Sequence, residues 1–199
     1  DAIIKASEEV IDGKFDYEFK LSAFQGGAGT STNMNVNEVI ANRAIELLGG
    51  VKGDYNLVHP LNHVNMSQST NDVYPSALRI AAIRLIRKLS DSLSSLQEAL
   101  QIKENEFSDI IKLGRTQLMD ALPMTAGQSF GAYSKAIERD RWRIYKVEER
   151  LRQINLGGTA IGTGLNATNK YVFMMTDIIQ NLTGLGIARS DYPMDITQN

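Results

Sequence analysis

Three segments of this 199-residue chain combine glycine with Ser, Thr and Asn, residue types that could bind a small anion. Glycine lets backbone amides approach a ligand closely, and short hydroxyl and amide side chains donate hydrogen bonds without bulk. The segments are QGGAGTSTN at residues 25–33, the run Ser69, Thr70, Asn71, and GGTAIGTGLNATN at residues 157–169. The first segment lacks a Gly-Lys-Ser/Thr sequence, so it does not match a phosphate-binding loop.

The run from Ser69 to Asn71 is predicted to lie at the N-terminus of a long helix. Pro75 lacks an amide hydrogen and is tolerated only near the start of a helix, which places the beginning close to Asn71. Unpaired amides and a partial positive charge at this end suit a carboxylate. The alternative is simple capping of the helix by Thr70 or Asn71, which is common.

Two further groups of polar residues could take part in chemistry. The sequence GRTQLMDALP places Arg115, Thr116 and Gln117 together, although an arginine in such a position is more often a structural ion-pair partner. His59 and His63 are four residues apart, as metal ligands on a helix can be, but Pro60 lies between them and no HExxH sequence occurs. We therefore expect no metal site.

The elements that must position these residues are mainly helices. Apolar residues recur every three or four positions in two long segments, one from Asn71 to about residue 100 and one after Pro123, where Thr125 and Gln128 have capping-box spacing. Shorter helices are predicted at residues 1–12, 34–50 and 170–182. Alternation of apolar and polar residues from Phe15 to Leu21 predicts a short strand or extended segment. The predicted fold class is mostly α.

Composition excludes several classes of function. The formal net charge is −2, without a basic stripe that could neutralise nucleic-acid phosphates. There is no cysteine, which excludes disulfides and fits a reducing cytoplasm. No stretch approaches the roughly 20 apolar residues of a membrane span, and the first residues do not resemble a signal peptide.

Four collinear segments resemble those that define the aspartase/fumarase superfamily: GGAGTSTNMNVNEVIANRA, VHPLNHVNMSQSTNDVYPSALRIA, KLGRTQLMDALPMTAGQSF and NLGGTAIGTGLN. The resemblance implies a small N-terminal domain that ends within residues 1–70 and a central bundle of very long helices that begins in residues 71–199. It also implies a homotetramer whose active sites are shared between subunits.

The resemblance further implies elimination across the Cα–Cβ bond of a dicarboxylate to give fumarate, without a cofactor. The positions that match the family's substrate-binding residues are Thr30, Ser69, Thr70, Asn71 and Thr116. Gln117 stands where fumarases have a histidine, and this segment and GGAGTSTNMN are closer to aspartases than to fumarases. Aspartate is therefore the expected substrate, with fumarate hydration as the alternative.

The sequence also departs from the family's pattern. Leu61, Asn62 and Met66 replace usual residues of HPNDHVN and its continuation, so we expect no functional accessory anion site near His59. The GSSxMPxKxN loop, whose serine is the family's base, does not occur in these residues, and we expect it beyond Asn199. No catalytic residue is therefore assigned within this segment. A further alternative is a non-catalytic helical assembly that keeps the fold.

Overall fold

The computed structural model describes residues 1–198, which are predominantly helical, as predicted. The α-helices are α1 (Ala2–Ile11), α2 (Thr30–Leu47), α3 (Thr70–Glu106), α4 (Ala126–Leu151), α5 (Asn169–Thr183) and α6 (Pro193–Gln198). The strands are β1 (Ile111–Thr116), β2 (Met119–Thr125), β3 (Gln153–Ile154) and β4 (Ala188–Arg189). A 3₁₀ turn at Asp16–Glu18 and a π-helical turn at Pro60–Val64 complete the list.

The chain divides into two compact units. Unit 1 comprises Asp1–Arg79 and the segment that begins at Gln153, and unit 2 comprises Ile80–Arg152. Helix α3 contributes its first residues to unit 1 and the rest to unit 2. The predicted boundary at residue 70 concerns the domains of the complete family fold, and it stays a prediction.

One apolar core of unit 1 is formed mainly by α1 and α2. An ion pair between Glu9 of α1 and Arg43 of α2 joins the two helices at the edge of this core, and Glu46 also bonds Arg43 at 3.1 Å. These contacts lower the pKa of Glu9 and of Glu46. The buried residues of this core are Ala6, Ile40, Ala41, Ala44, Ile45 and Val58, and a second group of buried apolar residues in unit 1 comprises Ile154, Leu156, Val172, Leu185 and Ile187.

The predicted strand or extended segment from Phe15 to Leu21 is wrong. The structure has the 3₁₀ turn there, and among the described residues no strand lies beside it. A strand needs a neighbour to pair its backbone groups, and alternation in sequence does not supply one. The Phe15 ring instead packs 5.9 Å from the Arg43 guanidinium of α2.

The helix starts are the part of the prediction that bears on the candidate site. Helix α3 begins at Thr70, one residue from the predicted start, and contains Pro75 close to that end. Helix α2 begins at Thr30, four residues before the predicted start, because the chain turns into the helix at Gly29, whose φ is 86°. Thr30 is therefore a helical residue and not part of a loop.

Unit 2 contains an antiparallel hairpin that the sequence analysis did not predict. Strands β1 and β2 pair Ile111 with Thr125 and Thr116 with Met119, with a bulge between Leu113 and Arg115. Helix α4 follows directly, and its capping box of Thr125 and Gln128 is confirmed. The hairpin thus fills the segment between the two long helices.

The first turns of α4 approach α3 closely because their buried positions are small. A Cβ atom on Gly127 would lie 2.4 Å from the Glu104 carbonyl oxygen, so glycine is needed there. By contrast, Leu85, Leu89 and Leu96 of the α3 stripe are exposed, as are four large α4 side chains, Tyr133, Trp142, Tyr145 and Val147. Among the helices of residues 1–198, none is long and apolar enough to cross a membrane.

Candidate functional site

The N-terminus of α3 is capped by Ser69. Its hydroxyl accepts a hydrogen bond from the Asn71 amide at 3.2 Å, and the Asp72 carboxylate accepts one from the Ser69 amide at 2.9 Å. This reciprocal arrangement is similar to a capping box, except that the Ser69 hydroxyl accepts from the second helical amide and not the third. The alternative interpretation, in which Thr70 or Asn71 caps the helix, is therefore wrong, and the side chains of both residues make other contacts.

The N-terminus of α2 lies beside that of α3. The Asn33 side-chain amide of α2 donates to the Thr70 hydroxyl at 2.9 Å. A Cβ atom on Gly29 would lie 2.3 Å from the Tyr74 ring of α3, so only glycine permits this approach. The first turn of α2, which begins at Thr30, therefore lies beside the first turn of α3, and each helix end carries a partial positive charge.

Buried asparagines of α2 join the two helix ends through side-chain hydrogen bonds. Asn33 and Asn37, one turn apart on α2, are both more than nine-tenths buried. Both donate to the Asn65 side-chain oxygen, at 3.4 and 3.0 Å. Because the Thr70 oxygen accepts from Asn33, its hydroxyl proton remains available for a ligand. The sequence analysis did not identify these asparagines, although their spacing of four places them on one helix face.

The third Gly/Thr segment lies against the same helix end. The Asn71 side-chain amide donates to the Ala160 carbonyl at 2.7 Å, and the Asn155 amide donates to the Asn71 carbonyl at 2.9 Å. The second contact replaces a helical hydrogen bond, because Pro75, four residues on, has no N–H for the Asn71 carbonyl. Asn155 is almost fully buried. All three polar segments therefore meet in unit 1, residues 25–33 through Asn33 and residues 157–169 through Ala160.

Asp72 is the residue at the centre of this arrangement that the sequence analysis missed. It has no exposed surface, and its carboxylate also accepts from the Gly157 amide at 3.1 Å and the Thr159 amide at 2.9 Å. Burial raises the pKa of Asp72, and the amide hydrogen bonds oppose that shift. The signal was present in the sequence, since Ser69 and Asp72 have the S-x-x-D spacing of a capping box.

Tyr171 of α5 lies near the same carboxylate. Its hydroxyl is buried and makes no hydrogen bond of normal geometry with the described residues. Burial, together with the Asp72 charge, raises the pKa of Tyr171 to about 12, and the nearby Gln68 side chain opposes this only in part. Tyr171 is therefore a neutral neighbour of Asp72 over the physiological pH range.

The remaining predicted site residues, Thr116 and Gln117, lie together on the hairpin of unit 2. Thr116 ends β1, and the two-residue turn consists of Gln117 and Leu118, with φ of 49° and 67°. Such turns usually contain Asn and Gly, because other residues are strained in left-handed conformations. Both side chains are exposed, and Leu118 is 97% exposed. Arg115, expected to be an ion-pair partner, lies 3.5 Å from Asp120.

The ring nitrogens of His59 and His63 accept hydrogen bonds from backbone amides in and beside the π-helical turn at Pro60–Val64. His59 Nδ1 accepts from the Leu61 amide at 3.1 Å, and His63 Nδ1 accepts from the His59 amide at 2.9 Å. Within the part of the chain that the structure describes, no group of three or more His, Asp or Glu side chains could hold a metal ion. The groups that unit 1 presents at the start of α3 are hydroxyls, amides and helix ends, which can donate hydrogen bonds to an anion.

Comparison with known proteins gives consistent results. A family model described as Lyase matches residues 1–199. The chain is 46% identical over 198 residues to the aspartate ammonia-lyase of Bacillus subtilis, which covers 100% of this chain and 42% of that protein. It is 50% identical over 187 residues to the class II fumarate hydratase of Rhizobium meliloti, covering 94% and 40%.

The fold is similar to that of a solved structure described as a fumarate lyase:delta crystallin from Brucella melitensis. The TM-score is 0.93 at 44% sequence identity, over 98% of this chain and 43% of the other. The chain therefore spans less than half the length of the relatives that it matches.

Proposed function

We propose, from the premise that the chain belongs to the aspartase/fumarase superfamily of lyases, that the protein to which it contributes eliminates ammonia from L-aspartate to give fumarate. Since the chain spans 42% of the length of its Bacillus subtilis relative, the activity is proposed for the complete protein. The observation that carries the substrate class is that the first turns of α2 and α3 lie side by side, joined by the bond from Asn33 to Thr70.

These helix ends suit one carboxylate of a dicarboxylate substrate. Removal of a Cβ proton turns the adjacent carboxylate into an aci-carboxylate that carries additional negative charge. Donors placed in advance stabilise this charge without reorganisation during the reaction. In our proposal Thr30, Ser69, Thr70 and Asn71 are those donors, and Thr116 and Gln117 contribute from the hairpin turn.

The choice of aspartate over malate rests on local residues. Aspartate ammonia-lyases and fumarate hydratases are both similar to this chain over nearly its full length. Gln117 stands where fumarases are expected to have a histidine, so proton chemistry assigned to that histidine cannot occur here. Gln117 keeps hydrogen-bonding groups that can contact a substrate amine. Fumarate hydration is the alternative.

The catalytic base is proposed to lie on the family's GSSxMPxKxN loop, a sequence that does not occur in these 199 residues. We also propose that the complete protein is a homotetramer. The exposed apolar side chains of unit 2 support this proposal, because isolated soluble proteins rarely expose long apolar stripes. Light scattering on the complete protein tests it, and a monodisperse monomer at high concentration contradicts it.

The proposed activity is tested with the complete protein by measuring fumarate formation from L-aspartate and from L-malate under identical conditions. We expect faster formation from aspartate, with release of one ammonia for each fumarate. Faster formation from malate would mean that the protein is a fumarate hydratase. Formation from neither substrate would favour a non-catalytic assembly with the same fold.

A further inference from the structure

Asp72 joins two separate segments of unit 1 through one carboxylate group. Its Oδ1 atom accepts from the Ser69 amide at the start of α3. Its Oδ2 atom accepts from the Gly157 and Thr159 amides of the third Gly/Thr segment, 85 and 87 residues further along the chain. Each oxygen therefore holds a different segment, and the carboxylate is the bridge between them.

A buried carboxylate is a costly way to build a helix cap. A serine or an exposed aspartate can cap a helix without placing a charge in a water-free position. Asp72 has no exposed surface, and among residues 1–198 no basic side chain forms an ion pair with its carboxylate. The amide hydrogen bonds from Ser69, Gly157 and Thr159 are what compensate the charge. The two hydrogen bonds that Asp72 accepts from Gly157 and Thr159 thus hold the segment at Gly157 and do not contribute to the cap of α3.

The segment that Asp72 holds is also the one that fixes Asn71. Gly157 and Thr159 both have left-handed backbone conformations, with φ of 87° and 59°. The hydrogen bonds from their amides to Asp72 are made in this uncommon conformation of the segment. The next residue, Ala160, accepts the hydrogen bond from the Asn71 side chain. Loss of the carboxylate would release this conformation and with it the orientation of the Asn71 amide.

We propose that Asp72 is a positioning residue: its carboxylate holds the segment Gly157–Ala160 against the N-terminus of α3 and thereby orients Asn71 for the substrate. This inference rests on the proposed function, because Asn71 is a proposed substrate-binding residue. Asp72 itself does not touch the substrate in this scheme.

The variant Asp72→Asn separates positioning from charge. An amide offers only one acceptor oxygen, so it can serve Ser69 or the Gly157 segment but not both. If Asp72 acted only as a nearby charge, its removal would strengthen the binding of an anion. If it acts by positioning, its removal weakens binding and slows the reaction. The two roles therefore predict opposite signs for the change in affinity.

The experiment uses the complete protein, with Asp72→Asn compared with wild type and with Ile45→Val as a stability control. Ile45 is fully buried in the core of α1 and α2, away from the site. We measure kcat and KM with whichever of aspartate and malate the wild type converts, the affinity for fumarate, and amide hydrogen exchange of residues 155–162. For Asp72→Asn we expect kcat to fall about a hundredfold, as a displacement of about 1 Å in a site can produce. Fumarate should bind several-fold more weakly, with faster exchange at 157–160.

Tighter fumarate binding, unchanged exchange at residues 157–160, or a loss of kcat equal to that of Ile45→Val at the same melting temperature would overturn the inference. Should Asp72→Asn not fold, exchange in the wild type decides: fumarate must protect residues 157–160, and unchanged protection contradicts the proposal. Lack of ammonia release by the wild type refutes the proposed substrate alone, because the exchange measurement does not depend on turnover.

Discussion

The start of α3 and the turn of the β1–β2 hairpin both carry predicted substrate-binding residues, yet the chain supports them in different ways. Ser69, Thr70 and Asn71 are held by side chains and amides from α2 and from the Gly157 segment. Thr116 and Gln117 are exposed at the tip of a two-stranded hairpin. The first region is fixed within its unit, whereas the second extends its residues outward.

The two regions also differ in how their conformations are stabilised. At the start of α3, buried polar groups satisfy one another, which rigidifies the site at the cost of desolvation. At the hairpin turn, Gln117 and Leu118 occupy left-handed conformations without being glycine or asparagine. Residues that occupy a strained backbone conformation with no nearby contact to stabilise it are candidates for a functional role. The comparison predicts that substitutions in the two regions separate activity from stability in different ways.

The largest expected effect is loss of activity at the fixed region. Thr70→Ala and Asn71→Ala in the complete protein should each lower kcat/KM for aspartate by roughly ten- to hundredfold. The reason is that a hydrogen bond to a charged group contributes about 1.5–3 kcal/mol. Neither side chain caps α3, but both make hydrogen bonds within unit 1, so a loss of about 1 kcal/mol of stability, similar to that of Ser69→Ala, should accompany the loss of activity. Steady-state kinetics and thermal melting on the same preparations measure both quantities.

Ser69→Ala is the reference for stability alone, because Ser69 is itself a proposed substrate donor. It removes the cap of α3, which should cost about 1 kcal/mol of unfolding free energy. If Thr70→Ala and Asn71→Ala lower the melting temperature as much as Ser69→Ala and leave kcat/KM unchanged, the polar network at α3 is structural and the assigned site is wrong.

At the hairpin the expected effects have opposite signs. Gln117→Gly and Leu118→Gly should each stabilise the turn by up to about 1 kcal/mol, because glycine adopts positive φ without strain. Only Gln117→Gly should also lower kcat/KM, by about tenfold, since it removes a proposed contact with the substrate. Leu118→Gly is the matched control, because it relieves the same turn without removing a hydrogen-bonding group. Equal kinetics for the two variants would remove Gln117 from the site.

The positions of helices could be predicted from the sequence because apolar periodicity and capping signals are local. The apolar pattern and Pro75 together predict the start of α3 within one residue, and the spacing of Thr125 and Gln128 predicts the capping box of α4. The hairpin was missed because its strands are mostly exposed and its turn lacks the usual Asn-Gly signal. Leu113 and Arg115 also break the alternation through a bulge.

The site was predictable in its residue types and not in its supporting contacts. Polar segments next to a helix start indicate an anion site from local chemistry alone. The bond between Asn33 and Thr70, and the bridge from Asp72 to Gly157, join residues that are 37 and 85 positions apart. Only the folded chain brings these groups together, so periodicity and spacing could not reveal them.

Two carboxyl groups, Glu148 of unit 2 and Asp72 of unit 1, also respond to acid with opposite signs, and this gives the smallest expected effect. In unit 2, Glu148 of α4 accepts from Arg87 of α3 at 2.9 Å and from Arg152 at 2.8 Å, and these contacts lower the pKa of Glu148. In unit 1, burial raises the pKa of Asp72. Protonation of Asp72 on acidification favours the folded state, whereas protonation of Glu148 favours the unfolded state.

Glu148→Gln should therefore reduce the sensitivity of the protein to acid. The unfolded carboxyl group has an ordinary pKa of about 4.3, and a lowered folded pKa contributes stability that is complete above that value and is lost as the pH falls below it. The contribution should be about 1 kcal/mol, because Arg87 is half exposed and such pairs are weak. Urea unfolding at pH 7 and near pH 3.5 should show a smaller difference in unfolding free energy for Glu148→Gln than for wild type.

Glu149→Gln is the control, since Glu149 is largely exposed and lies 3.7 Å from Lys146. If both variants retain the wild-type difference, the ion pairs of Glu148 do not contribute to the stability of unit 2.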